Sequence, residues 1–238
     1  NGAGSANTAG SINSTVSASA TSGFSIVSYT GTGSLATVGH GLGVAPAMII
    51  IKNRSTTNGW EVYHQSLGNT KYMQLHTTSA EGTSATRWNN TSPTSTVFTV
   101  NTEGGVNSSG GNLIAYCFSE VKGYSKFSSY TGNGNADGTF VYLGFKPAFV
   151  MLKNTTTAAS WLMYDNKRLG YNVDNNELVA NTSAAEETYD QIDILSNGFK
   201  MRANGTSTNK SGDTFIYMAF AEAPLVGGTG AGVPCTAR

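Results

Sequence analysis

Leu42-Gly43-Val44-Ala45-Pro46-Ala47-Met48-Ile49-Ile50-Ile51-Lys52-Asn53 is the stretch that sets the fold class. Its apolar run, residues 47–51, is too short for an ordinary helix, and turn-prone Lys52-Asn53-Arg54-Ser55 follows it. It reads as a strand covered on both faces, as at the centre of a sandwich. Outward from it the same texture repeats: residues 24–29, 60–63, 97–100 and 113–118 are short runs of β-branched and aromatic residues, each bounded by Gly, Asn, Ser or Pro. That is a strand-and-turn pattern. Residues 180–190, with Ala184, Ala185, Glu186 and Glu187, predict a short helix with Thr182 or Ser183 as its N-cap.

Composition agrees with an all-β fold. Charged residues are only 12% of the 238. Ser, Thr, Asn and Gly stand in their place, poor in helix interiors and good in strands and turns. The 14 basic and 14 acidic residues cancel, so neither a basic nucleic-acid footprint nor long-range steering is expected. Zero net charge also removes one guard against self-association, which suits a component of an assembly. No run of 18 apolar residues is present, so no membrane insertion is expected. Cys117 lies in the apolar run 113–118 and reads as a buried free thiol; Cys235 lies in a Gly- and Pro-containing tail, and neither spacing nor context calls for a disulfide between them. The first residue is Asn1, so the chain is read as a processed product or a fragment.

The quoted stretch returns later. Leu42-Gly43-Val44-Ala45-Pro46-Ala47 is matched by Leu143-Gly144-Phe145-Lys146-Pro147-Ala148, and Lys52-Asn53 by Lys153-Asn154. Tyr29-Thr30-Gly31-Thr32-Gly33 is matched by Tyr130-Thr131-Gly132-Asn133-Gly134, Trp60 and Tyr63 by Trp161 and Tyr164, Thr78-Ser79-Ala80 by Thr182-Ser183-Ala184, and Ile114, Phe118 and Glu120 by Ile216, Phe220 and Glu222. A spacing of about 100 residues is too long for a solenoid repeat and implies a duplicated domain. The expectation is two tandem antiparallel, jelly-roll-like β-sandwiches at residues 23–123 and 124–226. Residues 1–22 would be a Gly-, Ser-, Ala- and Asn-rich linker or assembly arm, and residues 227–238 a C-terminal tail. Tyr29, Gly31, Pro46, Trp60, Tyr63, Phe118, Tyr130, Gly132, Pro147, Trp161, Tyr164 and Phe220 form the repeated framework. Pro opens a strand because it has no N–H for the ladder. Trp-x-x-Tyr puts its two rings on opposite faces of a strand.

What repeats is scaffold rather than reactive chemistry, so catalysis is not expected. His40, His64 and His76 have no counterparts and read as exposed or turn histidines. No G-x-S-x-G elbow occurs, and the Gly31-Thr32-Gly33-Ser34-Leu35-Ala36 run leads into strand-like sequence, not the helix a dinucleotide site needs. Asn133-x-Asn135-x-Asp137-Gly138 starts like a calcium loop but lacks the closing Glu, and no His/Cys cluster has metal-ligand spacing. No carboxylate pair recurs in both copies as a glycosidase-type site would suggest. Neither a metal nor a cofactor is expected. Arg87-Trp88-Asn89-Asn90 has no counterpart in the second copy. Trp88, flanked by Arg87, Asn89 and Asn90, either stacks on a ligand or covers its own core.

The repeated Tyr-Thr-Gly-x-Gly, Gly-x-x-Pro-Ala, Lys-Asn, Trp-x-x-Tyr and Phe-x-Glu elements, with the opening NGAGSANTAGSINSTVSA, resemble the tandem module near the C-terminus of tail-fibre-like proteins of marine tailed bacteriophages. The resemblance covers most of the chain. It implies a virion protein, part of a tail fibre or host-contacting appendage, self-associating as a homotrimer and touching other virion proteins and a host glycan or protein receptor. Alternatives are a capsid decoration or head-fibre protein and a carbohydrate-binding module or glycan hydrolase.

Overall fold

The structure, a computed structural model, describes residues 2–168, 172 and 176–222. The tail expected at residues 227–238, and Cys235 with it, lies outside them. Among the described residues strands hold 44% and helices 4%, so the fold is all-β, built of antiparallel sheets. It divides into two compact units. The first takes residues 1–76 and 81–120; the second takes residues 77–80 and those from Val121 on.

The first unit contains β1 (Ser5–Asn7), β2 (Ser14–Ser19), β3 (Phe24–Thr30), β4 (Ala36–Gly39), β5 (Met48–Asn53), β6 (Trp60–His64), β7 (Lys71–Gln74), β8 (Gly82–Thr83), β9 (Val97–Val100) and β10 (Asn112–Phe118). Two single-turn helices, α1 (Ala85–Trp88) and α2 (Gly104–Asn107), interrupt them. A large sheet runs β1-β2-β3-β10-β5-β6-β7-β8, and a small one pairs β4 with β9. Period-2 alternation aims Val27 and Tyr29 of β3 and Leu113, Ala115 and Cys117 of β10 into one core. Val38, Phe98 and Val100 of the small sheet close that core from the other side. In β5, Met48, Ile49, Ile50 and Ile51 are all buried, so both faces of that strand are covered.

The second unit contains β11 (Ser125–Thr131), β12 (Phe140–Tyr142), β13 (Pro147–Asn154), β14 (Trp161–Asp165), β15 (Asn176–Val179), β16 (Glu187–Thr188), β17 (Ile192–Leu195), β18 (Gly198–Met201) and β19 (Thr214–Ala221). Its sheets run β11-β19-β13-β14-β15-β16 and β12-β18-β17. Val150, Leu152, Phe215 and Tyr217 of the larger sheet meet Val141, Ile192 and Phe199 of the smaller. Pro147 opens β13, where a missing N–H costs least, and the register slips between it and Phe149. The central order β3-β10-β5-β6 has its like in β11-β19-β13-β14.

Two expectations fail. Of residues 1–22, expected as a linker or assembly arm, the described ones, 2–22, are not a free linker. β2 pairs with the edge of β3 from Ser14↔Tyr29 to Ser19↔Phe24. The Ile12 N–H donates to Thr37 O at 2.9 Å, and Ser14 Oγ donates to Gly39 O at 3.1 Å. Ile12 and Val16, the only sizeable apolar groups here, are buried in the first core. Main-chain ladders need no apolar side chains, which is why composition missed this strand. The helix expected at residues 180–190 is also absent. Thr182 Oγ1 accepts the Ala184 N–H at 3.3 Å in a local turn, and the segment then enters β16, where Thr188 pairs with Asn176.

Candidate functional site

Arg87, Trp88, Asn89 and Asn90, expected as candidate ligand contacts, sit on and after α1. Ser84 Oγ caps this helix by accepting the Thr86 N–H at 3.2 Å, and Asn89 ends it in the left-handed region. This turn points Trp88 inward: it is 2% exposed, donates its indole N–H to Lys71 O at 3.0 Å and meets Tyr63 edge-on at 5.9 Å. Of the two readings of Trp88, the core-covering one holds and ligand stacking is excluded by burial. Arg87 lies under the same cover. Its Nε donates to Glu61 Oε2 at 2.7 Å, its Nη1 stands 3.7 Å from Glu103, and its guanidinium lies 3.5 Å from the Tyr72 ring centre. Asn89 accepts from Asn101 Nδ2 at 3.4 Å, and Asn90 is an exposed residue at positive φ. Arg87, Trp88 and Asn89 brace a corner.

The repeated framework forms a buried polar brace in each unit. Tyr29 OH donates to Val106 O at 2.6 Å, and Tyr130 OH to Thr208 O at 2.5 Å. Burial pushes both phenols well above the usual tyrosine range. Asn107 Oδ1 accepts the Thr32 N–H at 2.8 Å, and Asn209 Oδ1 the Asn133 N–H at 3.0 Å. Asn53 Nδ2 donates to Gly104 O at 2.8 Å, and Asn154 Nδ2 to Thr206 O at 2.7 Å. Gly31 and Gly132 lie against the carbonyls of Ser108 and Lys210, where any Cβ would clash. Asn107 and Asn209 were not singled out from sequence. The signal was present: Asn107-Ser108-Ser109-Gly110 and Asn209-Lys210-Ser211-Gly212 share Asn-x-Ser-Gly at the repeat spacing.

The other framework residues pack. Trp60 and Tyr63 face opposite ways from β6: Trp60 stacks on Tyr116 at 6.3 Å, while Tyr63 enters the core. Trp161 and Tyr164 are both buried. Phe118 packs on Phe24 at 4.9 Å and Phe220 on Phe127 at 5.7 Å. Pro46 ends the turn before β5, as Pro147 opens β13.

Two histidines differ from expectation. His40 and His64 are buried. His40 Nδ1 accepts the Leu42 N–H at 3.2 Å, so its Nε2 carries the proton toward Thr94 O at 3.1 Å. Desolvation lowers its pKa, against the opposing pull of that carbonyl. His64 Nδ1 accepts the Ser66 N–H, and exposed His76 accepts the Trp60 N–H at 3.1 Å. The Asn133 loop is a chain of side-chain turns: Asn133 and Asn135 accept N–H groups two residues on, and Asp137 pairs with Lys200. Among the described residues no group of three His, Cys, Asp or Glu could hold a metal ion.

One place has polar side chains left over. An open cleft of about 470 Å³ on the first unit is lined by Asn13, Thr15, Ser28, Thr30, Arg54 and Asn112, with Ala6, Ser14, Tyr29 and Leu113 behind them. Register explains the cluster. Thr15 pairs with Ser28 across β2 and β3, and Thr30 pairs with Asn112 across β3 and β10. The Arg54 N–H donates to Asn112 O at 2.8 Å, which ties its backbone to the same row. The six lining side chains named first make no hydrogen bond with another described residue. No carboxylate lines the cleft. Arg87, Arg168 and Arg202 are ion-paired, whereas Arg54, exposed, has no carboxylate partner among the described residues. The cleft offers neutral donors and acceptors around a single cation.

Residues 1–224 match the family described as a domain of unknown function, DUF7483. No curated protein and no solved structure matches the chain.

Proposed function

We infer that this chain, which belongs to the DUF7483 family, is a non-catalytic building and binding module of a phage virion, part of a tail fibre or similar host-contacting appendage. The observation that carries the binding half is the contrast between the two kinds of polar site. The brace asparagines and the Glu61–Arg87 pair are buried and hydrogen-bonded within the protein. The cleft at Arg54 presents its polar groups outward with no internal partners. Groups consumed by the fold specify structure, whereas open ones are available to a ligand.

The building half is supported by the matching order of the central strands and by the brace hydrogen bonds made in both units. We read these as one module copied in tandem. The virion setting rests on the resemblance of the repeated elements to phage tail-fibre-like modules. Assembly as a homotrimer with other virion proteins belongs to the same proposal.

The test is location and stoichiometry in the native particle, by antibody labelling against this chain in electron microscopy and by quantitative mass spectrometry. Label at the tail appendages, in multiples of three copies, is the expected result. Label over the head would replace the appendage with a capsid-decoration role, and absence from purified particles would overturn the virion assignment.

A further inference from the structure

We propose that the open cleft of the first unit binds an anionic saccharide. Arg54 takes its carboxylate or sulfate group, and Asn13, Thr15, Ser28, Thr30 and Asn112 take ring hydroxyls. This deepens the host-contacting reading and rests on it. Three features of the cleft select the ligand class. Its lining is dominated by amides and hydroxyls, which can both donate to and accept from a polyhydroxyl ligand. Its one charged group is a guanidinium, whose planar fork suits a carboxylate or a sulfate oxygen pair. With no lining carboxylate, nothing within the site competes for that fork.

Other ligand classes fit less well. A nucleic acid would need several phosphate contacts, and one arginine supplies one. A peptide adding to a sheet edge would need an open strand, but Thr15, Ser28 and Asn112 lie on paired strands inside the sheet. The volume, about 470 Å³, falls within the range of small-ligand sites. The only aromatic residue in the lining, Tyr29, has its ring in the core. Stacking therefore adds nothing, single-site affinity is weak, and several copies in one particle would raise it through avidity.

The experiment uses the full chain, titrated by heteronuclear NMR with three matched oligosaccharides: one ending in a uronic acid, one carrying a sulfate ester and one neutral. At least one charged sugar should shift the amides of β3 and β10 around Thr30 and Asn112, more strongly at low than at high ionic strength. Arg54→Gln, at an exposed position, should weaken that sugar about tenfold to a hundredfold, the range expected for a charge-assisted hydrogen bond. Lys122→Gln, which removes the same charge from an exposed site outside the cleft, should leave binding unchanged. The uronate and sulfate arms separate the two anion sources. Three results would overturn the proposal: no response to either charged sugar, an Arg54→Gln variant that binds as well as the parent, or equal losses in the two variants. If particle labelling still places the chain on an appendage, such a result removes the saccharide and leaves the host-contacting role. If labelling fails as well, both fall.

Discussion

Replacing Asn209 by Asp tests whether the buried brace holds the second unit together. The Asn209 side chain is fully buried. Its Oδ1 accepts the Asn133 N–H at 3.0 Å and the Thr139 hydroxyl at 3.2 Å. Its Nδ2 donates to Asn133 Oδ1 at 2.7 Å and Asn135 O at 2.8 Å. Aspartate keeps the two accepting bonds but sets a second oxygen against two oxygens. Losing two donated bonds and setting a buried carboxylate oxygen against Asn133 Oδ1 and Asn135 O costs about 3–5 kcal/mol at neutral pH. Ionisation is disfavoured in that setting, so the new carboxyl has a folded pKa above its unfolded value near 3.9. The neutral acid can still donate one bond, so the deficit is smallest below the unfolded pKa. It grows as pH rises from about 4 through the raised folded value. Denaturant melts at several pH values, with hydrogen exchange read by mass spectrometry, separate the units: peptides from residues 121–222 should lose protection and those from residues 1–76 and 81–120 should not. Asn107→Asp should give the converse pattern. A deficit under about 1 kcal/mol, or one that does not change with pH, would refute a hydrogen-bonded brace.

Three further outcomes follow from groups already described. Trp88→Ala should cost about 3–5 kcal/mol in a denaturant melt, since it empties a core site, and should leave saccharide titrations at the Arg54 cleft unchanged in whatever fraction remains folded. Lys153 is buried, donates to Thr78 O at 3.1 Å and Asn154 O at 2.9 Å, and is pushed by desolvation from 10.5 down to about 8. The unfolded chain therefore holds the extra proton between those values, so stability should rise with pH across that window by roughly 3 kcal/mol, and Lys153→Met should flatten the profile. Burial pushes the Cys117 thiol up to about 12. At pH 8 iodoacetamide should leave the native Cys117 peptide unlabelled and modify it only in denaturant; rapid native labelling would contradict its burial.

The fold was legible where side chains carried it. The run ending in Ile49-Ile50-Ile51 and the alternation through Leu113, Ala115 and Cys117 announce strands because their faces are buried. β2 announced nothing, because a row of Ser, Thr and Ala is held by main-chain bonds that composition does not register. The run Ala184-Ala185-Glu186-Glu187 misled for the opposite reason. Its local helix propensity is overridden by tertiary partners, with Glu186 drawn to Arg168 and Asn176. Trp88 drew notice as an unmatched aromatic, yet α1 turns it inward, and a single turn of helix has no period to detect. The cleft was invisible from sequence: Asn13, Thr15, Ser28, Thr30, Arg54 and Asn112 are unremarkable hydrophilic residues until strand register sets them side by side.

The hairpin of β1 and β2 changes what the edge of the first large sheet offers. In the first unit it pushes the outermost rung from β3 to β1, which is three residues long. Among the described residues β11, seven residues long, ends its own sheet with no strand beyond it. That end of the first large sheet therefore offers fewer open main-chain groups than the β11 edge of the second, so the hairpin blunts an edge that β11 leaves long.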